Sequence, residues 1–181
     1  KQATPAQSPG KSKKTAAKAA SGISQVLQSL GDLCRKEALE DAMICSLSTL
    51  GISTITVEGP EVAPLQGSGI QLLCTIASRY RDHRGVLFND VFDSLAKLSA
   101  TTKRNIRQFH ASDDVSIQMV TALFLNLVHS SVRLPPLVDT DGDFEPEWDK
   151  SRTDYAEAQT EAKNFLSKFI KRSLPNSNPF Q

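Results

Sequence analysis

The sequence predicts an all-α chain, a segment of a HEAT-type α-solenoid with about six helices. Apolar residues recur at helical spacing in one run after another along the 181 residues. Short turn signals separate those runs. The one β-like run, Ile52–Val57, has no partner run elsewhere and reads as an extended linker. Antiparallel helices with one-sided apolar stripes stack as a helical-repeat array or as a compact bundle.

Taken in order, residues 1–14 are rich in Pro, Ser, Lys and Gln and lack a hydrophobic pattern, which predicts a disordered basic linker. Thr15–Leu30 forms the first helix, with Ile23, Val26, Leu27 and Leu30 on one face and Gly31 at its end. Leu33–Leu50 forms the second, with Leu39, Ala42, Met43, Leu47 and Leu50 as its stripe and Gly51 as its stop. Leu65–Tyr80 forms the third, through Ile70, Leu73, Cys74, Ala77 and Tyr80. The turn Arg81–His83 leads into Arg84–Leu98, whose stripe is Leu87, Val91, Phe92, Leu95 and Leu98. A turn this short predicts that these two helices are antiparallel neighbours.

Asp114–His129 carries the strongest apolar signal. Ten of the fourteen residues from Val115 to Val128 are apolar, so a helix here needs cover on several sides. It is predicted to be the central helix, capped by Ser112, Asp113 and Asp114. Residues 133–150 are Pro- and acid-rich and predict a loop. Capping-box spacing at Ser151–Asp154 opens a last helix to Arg172, with Tyr155, Ala158, Ala162, Phe165, Leu166, Phe169 and Ile170 as its stripe. The domain plan is a basic linker over 1–14, a helical body over 15–172 with an acidic loop at 133–150, and a polar tail over 173–181.

Net charge is +1, so no global field favours nucleic acid, but charge is segregated. Residues 1–31 hold five lysines and no acid; residues 139–149 hold six acids and no base. Cys34, Cys45 and Cys74 are widely spaced and read as small buried residues of a reducing compartment. The apolar runs are too short and interrupted for a membrane span. A start at Lys1 without methionine and a polar end predict a piece of a longer protein.

Two basic clusters are candidates for contact with DNA or a partner. One is the tract Thr101–His110, with Lys103, Arg104, Arg107 and His110 interleaved with Ile106 and Phe109. It could hold phosphates or an acidic partner; alternatively, Ile106 and Phe109 pin a linker to the core while the charges stay solvated. The other is Arg79, Arg81, His83 and Arg84. Helix 84–98 between them would be about 22 Å long, so the clusters are two sites and not one. Asp139, Asp141 and Asp143 start like a calcium loop, but glycine falls at the fourth position instead of the sixth. The three histidines are scattered, and no nucleophile motif or glycine-rich phosphate loop is present. The sequence therefore calls for no enzyme activity, cofactor or metal.

Residues 55–98, ITVEGPEVAPLQGSGIQLLCTIASRYRDHRGVLFNDVFDSLAKL, followed by TTKRNIRQF and SIQMVTALFLNLVHSSVRLPPL, resemble the large cohesin-loader subunit of the Nipped-B (adherin) family. DYAEAQTEAKNFLSKFIKR is similar to that family's helix after its acidic insertion. The family's KRNxRxF pattern falls on Lys103, Arg104, Asn105, Arg107 and Phe109. The resemblance implies a nuclear, chromatin-associated HEAT-repeat scaffold that loads cohesin onto DNA and stimulates its ATPase by binding. It further implies contacts to the SMC heads, the kleisin and DNA. A smaller helical-repeat loader subunit would be held through a region outside this chain. A purely architectural segment and a generic basic helical nucleic-acid module are the alternatives.

Overall fold

The computed structural model describes residues 9–57, 62–97, 108–112, 115–131 and 145–173. Among the described residues it is all-α apart from one hairpin. The helices are α1 Pro9–Lys36, α2 Asp41–Ile55, α3 Ala63–Arg79, α4 Arg84–Lys97, α5 Met119–Ser131 and α6 Glu145–Ser173. A 3-10 turn, Arg81–His83, joins α3 to α4. Two strands, β1 Gln108–Ser112 and β2 Val115–Gln118, pair antiparallel between α4 and α5.

The central helix is α3, not the 114–129 segment. It packs against α1, α2 and α5. Leu72, Leu73, Ile76 and Ala77 are almost wholly inaccessible, and buried Gly69, Ser68 and Thr75 keep other parts of its surface small. Small residues let neighbouring backbones approach on several sides, which a bulky apolar helix cannot do. In the 114–129 segment, Val115–Gln118 is strand and the helix begins only at Met119. Leu125 of α5 is 60% exposed, while Ala122, Leu123 and Leu127 are buried against the body. The helix cap expected at Ser112, Asp113 and Asp114 is not at Ser112, which ends β1, and Phe109 pairs with Ile117; Asp113 and Asp114 lie outside the described residues.

Helix ends also differ from the glycine rule, because side chains from elsewhere terminate them. α1 runs through Gly31 to Lys36. The Tyr80 hydroxyl donates to the Glu37 carbonyl at 3.0 Å and the Cys34 carbonyl at 3.4 Å, and accepts from the Leu39 amide. α2 runs through Gly51 to Ile55, so most of the β-like run 52–57 is helical. Burial of Ile52, Thr54 and Ile55 against α3 overrides their strand propensity. The buried Gln66 amide donates to the carbonyls of Val57 (2.9 Å) and Ile55 (3.3 Å) and so closes that end. Gly51 instead serves as a crossing point. A Cβ there would stand 2.8 Å from Leu73 Cδ2, and one on Gly69 would run into the Thr54 side chain, 3.0 Å from the Gly51 carbonyl.

The inner stripes are rotated from those expected. On α1 the buried face is Ala20, Ser24, Leu27, Gly31 and Cys34, at alternating spacings of four and three. Ile23 and Val26 are 48% and 58% exposed. The reason is a close α1–α3 crossing: Ser24 Oγ donates to the Pro64 carbonyl at 2.8 Å and shares a 2.7 Å hydrogen bond with Ser68 Oγ. On α2, Met43 and Leu50 are exposed and Ile44, Leu47 and Ser48 face inward.

α1 starts at Pro9, inside the stretch read as linker, and α6 starts at Glu145, inside the stretch read as acidic loop. Proline suits a first helical turn because it lacks an N–H that would go unsatisfied there. α4 packs on α2 more than on α3, its neighbour in sequence, and also touches α6. Phe88 and Phe92 of α4, Phe124 of α5 and Phe165 of α6 form one aromatic cluster, with centroid distances of 4.2 Å for Phe88–Phe165 and 5.4 Å for Phe92–Phe124.

Candidate interaction site

The corner where α3 turns into α4 gathers the second basic cluster. Tyr80 leaves the helical conformation with ψ of 79°, and the 3-10 turn carries the chain round to Arg84. Tyr80 and His83 meet edge to face at 6.3 Å. Arg84 is buried, and its Nε donates to the Ala77 carbonyl while Nη2 reaches the Ser78 carbonyl at 3.4 Å. These are terminal carbonyls of α3, so Arg84 caps that helix. Its Nη1 pairs with the Glu161 carboxylate of α6.

Arg81 is exposed and pairs with Glu157 of α6 at 3.3 Å. His83 Nε2 stands 3.3 Å from Asp41 Oδ1 at the start of α2. Arg79 is exposed on the last turn of α3. Arg81, His83 and Arg84 therefore point to three different carboxylates. Glu157 and Glu161, one helical turn apart on α6, face Arg81 and Arg84. This pairing was missed in the sequence, where EAQTE gave an i, i+4 acidic spacing but no hint of which arginines it meets.

Of the first cluster, Lys103, Arg104 and Arg107 lie outside the described residues. His110 lies in β1, where its backbone is in register with Ser116. The acidic triplet Asp139, Asp141 and Asp143 also lies outside them. Among the described residues no group of His, Cys, Asp and Glu could hold a metal ion, and no helix is long and apolar enough to cross a membrane.

The cysteines divide by environment. Cys34 is buried under α3, and burial pushes its thiol pKa up against the opposing effects of a backbone hydrogen bond and of Arg35 and Arg79. Burial also pushes the Cys74 thiol up, to about 12, although a hydrogen bond with Ser130 opposes this. Cys45 is exposed, contrary to the expectation of three buried thiols, because the inner face of α2 runs through Ile44 and Leu47.

No family model and no solved structure matches the chain. Curated relatives do. Nipped-B-like protein B of Danio rerio is 36% identical over 159 residues, which is 83% of this chain. Nipped-B-like protein of Homo sapiens is 33% identical over 165 residues, again 83% of the chain. The chain belongs to the Nipped-B-like family. Nipped-B protein of Drosophila melanogaster is 32% identical over 123 residues, 66% of the chain. The chain spans only 5–6% of the length of these Nipped-B relatives.

Within this Nipped-B-like segment the structure separates the candidates by position. Arg84 faces inward. Arg81 lies at the surface but is engaged with α6. Arg79 lies at the surface with no carboxylate within ion-pair distance among the described residues.

Proposed function

We propose that this chain is a scaffold segment of a cohesin-loading factor, acting in the nucleus on chromatin. The reading is carried by the likeness of 83% of the chain to Nipped-B-like proteins, together with the KRNIRQF…SIQMVTAL run. Its helices continue a HEAT-type α-solenoid that loads cohesin onto DNA and stimulates the cohesin ATPase by binding, without catalysis of its own. The solenoid meets the SMC heads, the kleisin and DNA, and the smaller loader subunit binds outside this segment. The tract Lys103, Arg104, Arg107 and His110 supplies this segment's phosphate or partner contact, and Arg79 and Arg81 add to it.

The test is DNA binding and cohesin loading by the parent protein carrying Lys103→Ala, Arg104→Ala and Arg107→Ala, across a salt series and beside a melting curve. If the tract holds phosphates, affinity falls and the salt slope flattens by about 2–3 units, while the melting temperature holds. If melting drops and the folded fraction binds as before, the tract is structural.

A second reading, a purely architectural segment, is favoured at the α3–α4 corner by the Arg81–Glu157 and Arg84–Glu161 pairs. There, arginine joins helices within the segment.

A further inference from the structure

An open groove of about 570 Å³ lies between the last turns of α1 and α3, lined by Arg35, Gln71, Cys74, Thr75, Ser78 and Arg79. Arg35 comes from α1 and the other five from α3. Arg35 Nη1 holds Asp32 Oδ1 at 2.5 Å, and Nη2 lies 3.4 Å from Thr75 Oγ1, so its guanidinium is turned across the groove toward α3. Arg79 is exposed on the facing side. The buried Cys34 thiol feels both positive charges. Ser130, at the end of α5, hydrogen-bonds Cys74.

Arginine near a helix C-terminus often serves the last carbonyls and the dipole. Here other side chains do that work. Tyr80 donates to the Cys34 and Glu37 carbonyls of α1, and Arg84 donates to the Ala77 and Ser78 carbonyls of α3. Arg35 and Arg79 are therefore left beside a concave space with one neutral donor, the Gln71 side-chain amide, on its wall; the Thr75 hydroxyl accepts from Arg35 and gives its own hydrogen to the Gln71 carbonyl. Two guanidinium forks with a neutral donor beside them suit a planar oxyanion.

We propose that this groove binds an aspartate or glutamate side chain of an acidic peptide strand. Its surroundings favour one anionic side chain over a nucleic acid. Asp32 stands on its rim in contact with Arg35 Nη1 and is exposed. Duplex DNA, with a charge every ~1.7 Å, would meet this carboxylate as well as the arginines. The positive field is local, and a single carboxylate entering between Arg79 and the Nη2 side of Arg35 lies away from the nitrogen that Asp32 holds. The proposal does not rest on the loading role or on the tract at 101–110, and it shares Arg79 alone with the contact residues named above.

The experiment is fluorescence anisotropy of a fluorescein-labelled peptide with three consecutive glutamates, titrated with the 181-residue chain. The expected result is saturable binding that weakens about tenfold with either Arg35→Gln or Arg79→Gln. Lys18→Gln, an exposed change about 25 Å away along α1, leaves it intact. In the unaltered chain, the Gln71 side-chain amide and the Cys74 backbone amide shift in NMR spectra on peptide addition. The proposal is overturned by absence of saturable binding, by an Arg79→Gln variant that binds as well as the parent, or by equal weakening with Lys18→Gln. It is also overturned if a short DNA duplex displaces the peptide and shows the same dependence on both arginines.

Discussion

The α1–α3 half and the α4–α6 half of this segment are held together by different chemistry. In the first, helices cross closely over small residues. Gly51 meets Gly69, Ser24 meets Ser68, and neutral groups (the Tyr80 hydroxyl and the Gln66 amide) end the helices. In the second, four phenylalanines fill the space between α4, α5 and α6, and two arginine–glutamate pairs tie α6 to the corner at the end of α3. Small-residue crossings leave no slack and depend little on salt. Aromatic and ionic contacts leave larger separate pieces whose attachment can be weakened one contact at a time. The comparison teaches that α6 is attached through ring and ion-pair contacts to a body whose own helices are joined by close crossings and neutral hydrogen bonds.

That contrast can be broken at several points. Phe165→Ala removes the ring common to three of the cluster's contacts and should destabilise α6 packing by about 3–5 kcal/mol, read from urea unfolding. An effect under about 1 kcal/mol would mean that the cluster does not hold α6. Gly69→Val should cost about 1–3 kcal/mol or more, because the new Cβ meets Thr54 and the Gly51 carbonyl. Gly22→Ala, where a Cβ meets nothing, should be neutral or slightly stabilising in the same assay.

Thiol labelling sharpens the comparison without mutation. Iodoacetamide at pH 8 should modify exposed Cys45 first. Cys74, whose pKa is raised to about 12, forms little thiolate at that pH and should react at least about tenfold more slowly, as should buried Cys34. Mass spectrometry of timed digests gives the order, and early Cys34 labelling would show that the α1–α3 crossing opens readily. The smallest effect belongs to Arg81→Gln. Its partner Glu157 is more than half exposed, so the change should cost no more than about 1 kcal/mol and vanish in high salt.

The helices were legible in the sequence as apolar periodicity, and Leu65–Tyr80 was placed almost as found. Their inner faces were less so. A stripe rule chooses Ile23 and Val26 over Ala20 and Ser24, whereas a close crossing selects the small residues because only they permit it. Gly51 misled for a related reason. A glycine ends a helix where the chain must turn, but Gly51 continues α2 where α3 presses against it, and the two cases look alike along a single chain; Gly31, where a Cβ would meet nothing, continues α1 without such a contact. The basic character of Arg79, Arg81 and Arg84 was legible. The partners were not, because Glu157 and Glu161 lie over seventy residues downstream and meet the corner only through the packing of α6.

The most direct test of this division is hydrogen exchange, followed by mass spectrometry, on the chain carrying Arg84→Met. Arg84 is buried and pairs with Glu161, whose carboxylate is 38% exposed and can be met by solvent, so removing the arginine should cost about 1–3 kcal/mol, with the hydrogen bonds to the Ala77 and Ser78 carbonyls included. The expected result is that amides of α6 lose protection while those of α1, α2 and the first turns of α3 keep theirs, and that Glu161→Leu in the same chain restores much of the loss. Equal loss of protection in α1–α3 and α6 would contradict it, and would make the segment one cooperative unit.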